Sequence, residues 1–440
     1  MKGYDKMKQK LDEILQFVEE NDVKFVKLAF CDIFGTQKNI SILASQLEKA
    51  FTQGVAFDAS GIDGFMNFEK NDLYLFPDAS TLTFLPWRPQ QGRVVRLYCD
   101  IRHADGSPFD GDCRAMLKNA VQFAWKQGYS CHIGTECEFY LFEQDENGRP
   151  TIIPHDDAGY LDIAPFDRGE NVRRDICMTL EDMGIVPETS HHEKGPGQSE
   201  IDFQHSDALT AADNLISFKS VVKSIANRNG LYASFMPKPL EGCSGSGLHI
   251  NISMHKDGKN IFAAGNTENQ GEAQSFVAGI LSRIAELTAF LNPTTNSYKR
   301  LGENSAPKYI TWSKGNLSQL LCIPCEDGAR SRMELRSADS ACNPYIAFAL
   351  LIYAGLEGIE SQAKLCAPVD NMDNLAASAK SLPSDLNSAI MLATGSDFIK
   401  KVLPPEIIST YLNAKYMEWQ SETLAANPKS YELETYFNKL

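Results

Sequence analysis

The chain has 440 residues, 43% hydrophobic and 22% charged, an ordinary globular composition with enough length for two or three average domains. A formal net charge of −15 with no Lys/Arg block argues against a nucleic-acid surface, which must neutralise phosphates. No run of about eighteen apolar residues could cross a membrane, and the N-terminus reads as an acidic amphipathic helix and not a signal peptide, so a cytoplasmic protein is expected.

In chain order, residues 6–20 read as a helix, followed by two strands, KFVKLAFCDIFG and TQKNISI, around a turn containing Gly35. DLYLFPDASTLTFLPW and RVVRLYCDIR continue in the same β-rich style, punctuated by Pro and Gly. From CRAMLKNAVQFAWKQG onward, helical patterns alternate with short strands. The change of character near residue 105 predicts a small β-rich N-terminal domain over 1–104 and a large mixed domain over 105–440. In the second, 207–230 and 271–292 have apolar residues at helical spacing, and LYASFMPKP, GLHINISMH and SRMELRS read as strands. No regular βαβ repeat appears, which favours α+β. Eleven cysteines, an odd number in a chain without secretory features, read as reduced thiols; Cys322 and Cys325 form a lone CxxC with no second pair to complete a zinc site.

The chemistry gathers in strand-like segments. In GTECEFYLF, Glu136 and Glu138 lie two residues apart, hence on one face of a strand, with Cys137 and Phe139 on the other. An isolated pair of this kind is commonly an edge strand facing water, but similar features recur. HHEKGPGQSEIDF carries Glu193 and Glu200 around a Pro-Gly turn, GSGLHINIS places His249 after a glycine-rich loop, and SRMELRS sets Glu334 between Arg332 and Arg336. Five carboxylates and one imidazole form a hard donor set that suits Mg2+ or Mn2+, not zinc. Such ions gather nucleotide phosphates and neutralise charge during phosphoryl transfer. Neither GxxxxGK[ST] nor GxGxxG is present, so P-loop and Rossmann chemistries are not indicated.

These motifs, with FDASGIDGF, MPKPLEGCSGSGLHINIS, NPTTNSYKRL and RSRMELRSADSACNPY, resemble the glutamine synthetase family nearly end to end, in its bacterial type I form. The resemblance implies a β-grasp-like N-terminal domain and a catalytic domain on a curved antiparallel sheet with flanking helices. It also implies homo-oligomers, a hexameric ring and a dodecamer of two rings, with active sites between subunits. The implied reaction is ATP-dependent and joins glutamate to ammonia through γ-glutamyl phosphate. Position by position, Glu138, Glu193 and Glu200 match the ligands of one metal, and Glu136, His249 and Glu334 those of a second. Gly245, Arg300 and Arg336 match the positions that hold glutamate, Ser253 and Arg332 match nucleotide-side positions, and Asp58 matches the aspartate offered by the adjacent subunit to deprotonate ammonium.

The match weakens over RLGENSAPKYITWSKGNLSQLLCIP. There the family's flap glutamate aligns with Ser305, and two arginines that face phosphate oxygens align with Leu317 and Cys322. Losing a donor to a developing charge typically costs about a hundred- to a thousandfold in rate. Glu303, Lys308 and Lys314 are candidates to compensate. Two rivals follow: a γ-glutamyl ligase for a larger amine such as methylamine, ethanolamine or a polyamine, suggested by Ser305 and Gly61, and a catalytically impaired paralogue serving as a regulator or scaffold. PVDNMDNLAAS holds no counterpart of the tyrosine that some members adenylylate.

Overall fold

The computed structural model describes residues 2–65, 72–88, 91–263, 270–324, 331–371, 375 and 379–440. Cys325 and most of the 371–378 stretch fall outside them.

The first sheet holds β1 (Val23–Cys31), β2 (Gln37–Leu43), β3 (Val55–Asp58), β4 (Asp72–Pro77), β5 (Thr83–Phe84) and β6 (Arg93–Arg102) in the order β2-β1-β6-β4-β3, with β5 on β6. β1 and β6 pair in parallel and the other pairs are antiparallel. Helix α1 (Lys2–Glu20) buries Ile14 and Val18 against the same core, and α2 (Leu47–Gln53) buries Leu47 and Ala50. The predicted turn at Gly35 has φ +83°, a conformation glycine adopts without penalty. It docks on the start of the later helix that follows Asn343, which donates from Nδ2 to Asp32 O and Ile33 O, both at 3.2 Å.

The second sheet has ten strands. Along its path run β14 (Trp312–Ser313), β15 (Leu321–Cys322), β16 (Met333–Leu335), β12 (Leu248–Lys256), β7 (Tyr129–Gln144), β10 (Gln198–Asp207) and β9 (Pro187–His192). β8 (Pro150–Pro154) and β11 (Leu231–Ser234) pair with β7, and β13 (Lys259–Asn260) with β12. The pairing is antiparallel except between β14 and β15, so the expected antiparallel sheet carries one parallel edge. SRMELRS and LYASFMPKP make shorter strands than their patterns predict, Met333–Leu335 and Leu231–Ser234.

Helices α3 (Cys113–Lys126), α4 (Glu170–Asp182), α5 (Ala208–Arg228), α6 (Gln270–Leu291) and α7 (Pro344–Glu360) supply the core behind this sheet. Its odd-numbered β7 residues Ile133, Cys137 and Phe139 are fully buried there, with Phe139 and Phe203 against Phe218 of α5 at centroid distances of 6.0 and 5.5 Å. α8 (Leu386–Gly395), α9 (Asp397–Val402), α10 (Pro405–Leu424) and α11 (Pro428–Glu432) close the chain, and Tyr436 and Phe437 beyond them pack on Tyr140 and Phe142. Buried Arg114 of α3 ties the two sheets' surroundings together by pairing with Asp78, Asp100 and Asp213 at 2.9, 3.3 and 2.9 Å. Among the described residues no helix is long and apolar enough to cross a membrane.

Candidate active site

Period-two alternation puts the even positions of β7 and β10 on the face away from the core, and antiparallel register then aligns them across strands. Glu138 pairs with Glu200, which pairs with His191 of β9. One step along, His249 of β12 pairs with Glu136, which pairs with Asp202. In the next row Asn251 stands between Gly134 and Glu334, with Cys322 beyond Glu334. The sheet thus carries rows of carboxylates and imidazoles on one face.

Two groups converge closely enough to share an ion. The ligand atoms of Glu136, His249 and Glu334 lie within 4.8 Å of one another, as do those of His191, Glu193 and Glu200. His249 Nδ1 is 2.7 Å from Glu136 Oε2, and Asn251 Nδ2 donates to Glu136 Oε1 at 2.8 Å. Burial acts to raise the Glu136 pKa, but His249 outweighs it and brings the carboxyl down to about 2. Glu200 goes the other way: burial and the neighbouring Glu138, Asp202, Glu136 and Glu193 push it well up. Asp202 rises to about 6 through burial, despite the hydroxyl of Thr189. Carboxylates forced together in this way are what a divalent cation relieves, and the oxygen-rich donor set fits Mg2+ or Mn2+.

A cavity of about 510 Å3 opens over these rows. Its lining includes Glu136, Glu138, Glu193, Glu200, His249, Gly245, Arg300, Arg336 and Ser305, all singled out from the sequence. Glu334 is buried beside it, bonded to Arg336. Arg336 Nε is buried without a hydrogen-bond partner, an unused donor beside the cavity. Arg300, also buried, donates to Ser337 O and Arg336 O at 2.9 and 3.1 Å. A Cβ on Gly245 would come within 2.5 Å of Pro237 O and 2.9 Å of Arg300 Cγ, so only glycine lets this backbone pass the arginine.

A second cavity, of about 760 Å3, shares Glu136 and is lined by Arg332, Asn251, Asp202 and His205. Arg332 Nε donates to Asn251 Oδ1 at 2.9 Å, which links the outer cavity to Glu136 through one side chain. Ser253 shares a strand face with His249 and Asn251 but is buried and lines neither cavity. Asp58 lies at the end of β3 on the N-terminal sheet, accepts from Ser60 N at 2.9 Å, and lines neither cavity of its own chain. Gly61 beside it faces open space.

The divergent loop has a specific geometry. Leu317 lines the first cavity and is 53% exposed, whereas Cys322 is buried in β15 opposite Glu334. Glu303 lines the cavity and meets Lys238 at 3.4 Å, but Lys308 and Lys314 line neither cavity. Lys194, on the turn between β9 and β10, does line it, and its Nζ donates to Ser305 Oγ at 2.9 Å. A lysine that no sequence motif singled out therefore reaches the flap position.

The sequence motifs assigned no role to three more residues. Fully buried Gln198 donates to Glu138 Oε2 and Gly245 O, both at 3.2 Å, and accepts from Gly195 N at 2.9 Å, splinting three parts of the site. Asp202 and Gln198 sit two residues either side of Glu200, the same spacing that flagged Glu136 and Glu138. His191 gave no local signal beyond its type. A third group, Asp156, Asp167 and His192, is already satisfied: Arg173 pairs with Asp167, and Asp156 accepts from Gly197 N at 2.9 Å. With His192 Nε2 2.9 Å from Asp156 and its Nδ1 2.6 Å from Glu193 O, it braces the turn that carries Glu193.

Known proteins are similar to this chain over nearly its whole length. The family profile described as glutamine synthetase, beta-Grasp domain matches residues 22–104, and that described as glutamine synthetase, catalytic domain matches 110–436. A glutamine synthetase of Clostridium saccharobutylicum is 46% identical over 438 residues, 97% of this chain and 98% of that protein. One of Methanosarcina mazei is 47% identical over 439 residues, 98% of each. Among solved structures, a GmaS/ADP complex superposes with a TM-score of 0.85 at 30% identity over 96% of this chain and 98% of that one. A glutamine synthetase of Plasmodium falciparum, 24% identical over 97% of this chain and 98% of that one, shares the fold at a TM-score of 0.87.

Proposed function

The chain belongs to the glutamine synthetase family and is an ATP-dependent carbon–nitrogen ligase, and from that premise we propose that it joins glutamate to ammonia through γ-glutamyl phosphate. The observation that carries this reading is the convergence of both carboxylate–histidine groups with Arg300, Arg336 and Gly245 around one cavity.

Glutamate enters the first cavity with its carboxylates toward Arg300 and Arg336, whose unpartnered Nε is the donor an anion satisfies. The second cavity, with Arg332 on its wall, takes the nucleotide; a structural neighbour solved as an ADP complex supports a nucleotide ligand for the fold. Glu193 and Glu200, with Glu138 facing Glu200 across the sheet, would hold one Mg2+ or Mn2+, and Glu136, His249 and Glu334 the other. Bound there, such ions supply charge neutralisation on the transferring phosphoryl group. The γ-carboxylate oxygen attacks the γ-phosphorus as the bond to ADP breaks. The amine nitrogen then attacks the acyl carbon, phosphate leaves, and the surplus proton passes to Asp58 of an adjacent subunit. The reading therefore includes ring oligomers, a hexamer or dodecamer, a β-grasp part over 1–104, a catalytic part over 105–440, and a cytoplasmic setting.

A larger amine is the second reading. Ser305 is shorter than the flap carboxylate and bonded to Lys194, and among the described residues, chain neighbours aside, no heavy atom lies within 4 Å of where a Cβ on Gly61 would stand, which leaves room on the amine side. Phosphate release measured with glutamate, ATP, Mg2+ or Mn2+ and either ammonia or a panel of methylamine, ethanolamine and polyamines separates the two. Turnover confined to ammonia removes the second; no release with any amine and either metal removes both.

A further inference from the structure

Outside the catalytic cavity, the N-terminal sheet poses the opposite electrostatic question. Lys27 of β1 and Arg96 of β6 are direct partners across the parallel pair, so two cations stand side by side on one sheet face. Like charges in that position destabilise a sheet unless something neutralises them. Here nothing in the described chain does. They line a cavity of about 200 Å3 between the sheet and α5, with Arg88 from the turn before β6 as a third cation. The rest of the lining contains no carboxylate, in a chain whose net charge is −15. Among the described residues, none of the three cations has a carboxylate oxygen within 4.0 Å.

Arg96 is the strongest indication of a ligand. It is only 7% exposed, its Nη1 donates to Ser217 Oγ at 2.7 Å, and its guanidinium lies 4.1 Å from the Tyr98 ring centroid. Its Nε, however, is buried with no hydrogen-bond partner. A buried charged donor left unmade is costly, so such groups are normally satisfied. Lys27 uses one donor on Asn39 Oδ1 at 3.1 Å, and an ammonium has three. Burial, and then the charge of Arg88, hold the Lys27 pKa below its usual value, as expected for cations crowded without a counter-ion. Asn39, Gln37, Ser220 and Ser224 add neutral polar groups, while Leu85 and Trp87 add an apolar wall.

We propose that this cavity binds a small dianion, a short dicarboxylate or inorganic phosphate, with Arg96, Lys27 and Arg88 as its counter-ions. Bound there, the ligand joins β1 and β6 to α5, the helix that follows Asp202 and packs behind β7 and β10. The proposal is independent of which amine the active site uses.

The test is calorimetric titration of the full chain, in whatever oligomer it forms, with succinate, inorganic phosphate or acetate at fixed ionic strength. Alongside it runs Lys27→Gln/Arg88→Gln, two changes at the rim that spare buried Arg96. The expected result is one dianion per chain, at least tenfold tighter than acetate, weakened at least tenfold in the double variant. Trp87 fluorescence should change on binding to the parent and not to the variant. Succinate alone binding identifies a dicarboxylate site, and phosphate alone a phosphate site. The proposal is overturned if neither dianion binds, or if binding survives unchanged in the variant, which would place it at Arg300 and Arg336.

Discussion

Leu317→Arg and Cys322→Arg test whether missing cations limit the rate. A charge-assisted hydrogen bond contributes about 1.5–3 kcal/mol. At position 317, half-exposed on the cavity wall, solvent screening favours the lower end, about tenfold in rate. Position 322 is buried in the row beside Glu334, where water is excluded and the upper end applies, about a hundredfold. The same burial makes arginine an overpacking substitution costing about 1–3 kcal/mol of stability. The expected pattern is thus a modest gain and unchanged melting for L317R, a larger gain with a lower melting temperature for C322R, and roughly multiplied gains in the pair. The assay is phosphate release at saturating glutamate, ATP, metal and amine, paired with thermal denaturation. A folded double variant with the parent's kcat would refute the reasoning and point to a loop rebuilt around Lys194 and Ser305.

Gln198→Ala removes one side chain that serves Glu138, Gly245 O and Gly195 N, so kcat/KM should fall about 10- to 100-fold with a stability loss of about 1–3 kcal/mol, read by kinetics and denaturant titration. An unchanged kcat/KM would remove Gln198 from the site. In metal-free protein, the folded-state pKa values of Glu200 and Asp202 are raised, so they destabilise the fold as pH rises through them. Asp202 moves from 3.8 to about 6. Glu136 is lowered to about 2, so its stabilising contribution is complete above about pH 4.5 and is lost only in stronger acid. Melting temperature with chelator should therefore fall between about pH 4.5 and 7, and added Mn2+ should abolish the fall; parallel curves with and without metal would count against a shared ion site. Finally, Asp58→Ala and Glu193→Ala homo-oligomers should each be inactive, while co-assembled mixtures should recover part of the parent's activity. No recovery in verified mixed oligomers would mean that Asp58 does not serve a neighbour.

Much of the site was legible because alternation along a strand is a local property. Glu136 with Glu138, and Glu334 with its flanking arginines, declare their shared faces from spacing alone, and the resemblance of the longer motifs supplied their expected partners. The same rule applied to Gln198 and Asp202 would have found both, since each lies two residues from Glu200. Lys194 offered no such signal, because its role depends on Ser305, 111 positions away in sequence. The surroundings of Cys322 likewise needed the fold: its lone CxxC said nothing of a partner, whereas the sheet sets it buried beside Glu334.

The sequence by itself determined which side chains share a face and that an oxygen-rich donor set was available. Only the tertiary structure decided that Glu138 stands opposite Glu200, that Glu136 lies between His249 and Asp202, and that Lys27 and Arg96 crowd together without an acid. The reason is physical: a residue's face follows from backbone geometry over two or three positions, whereas which face meets which is fixed by strand register between segments tens to hundreds of residues apart.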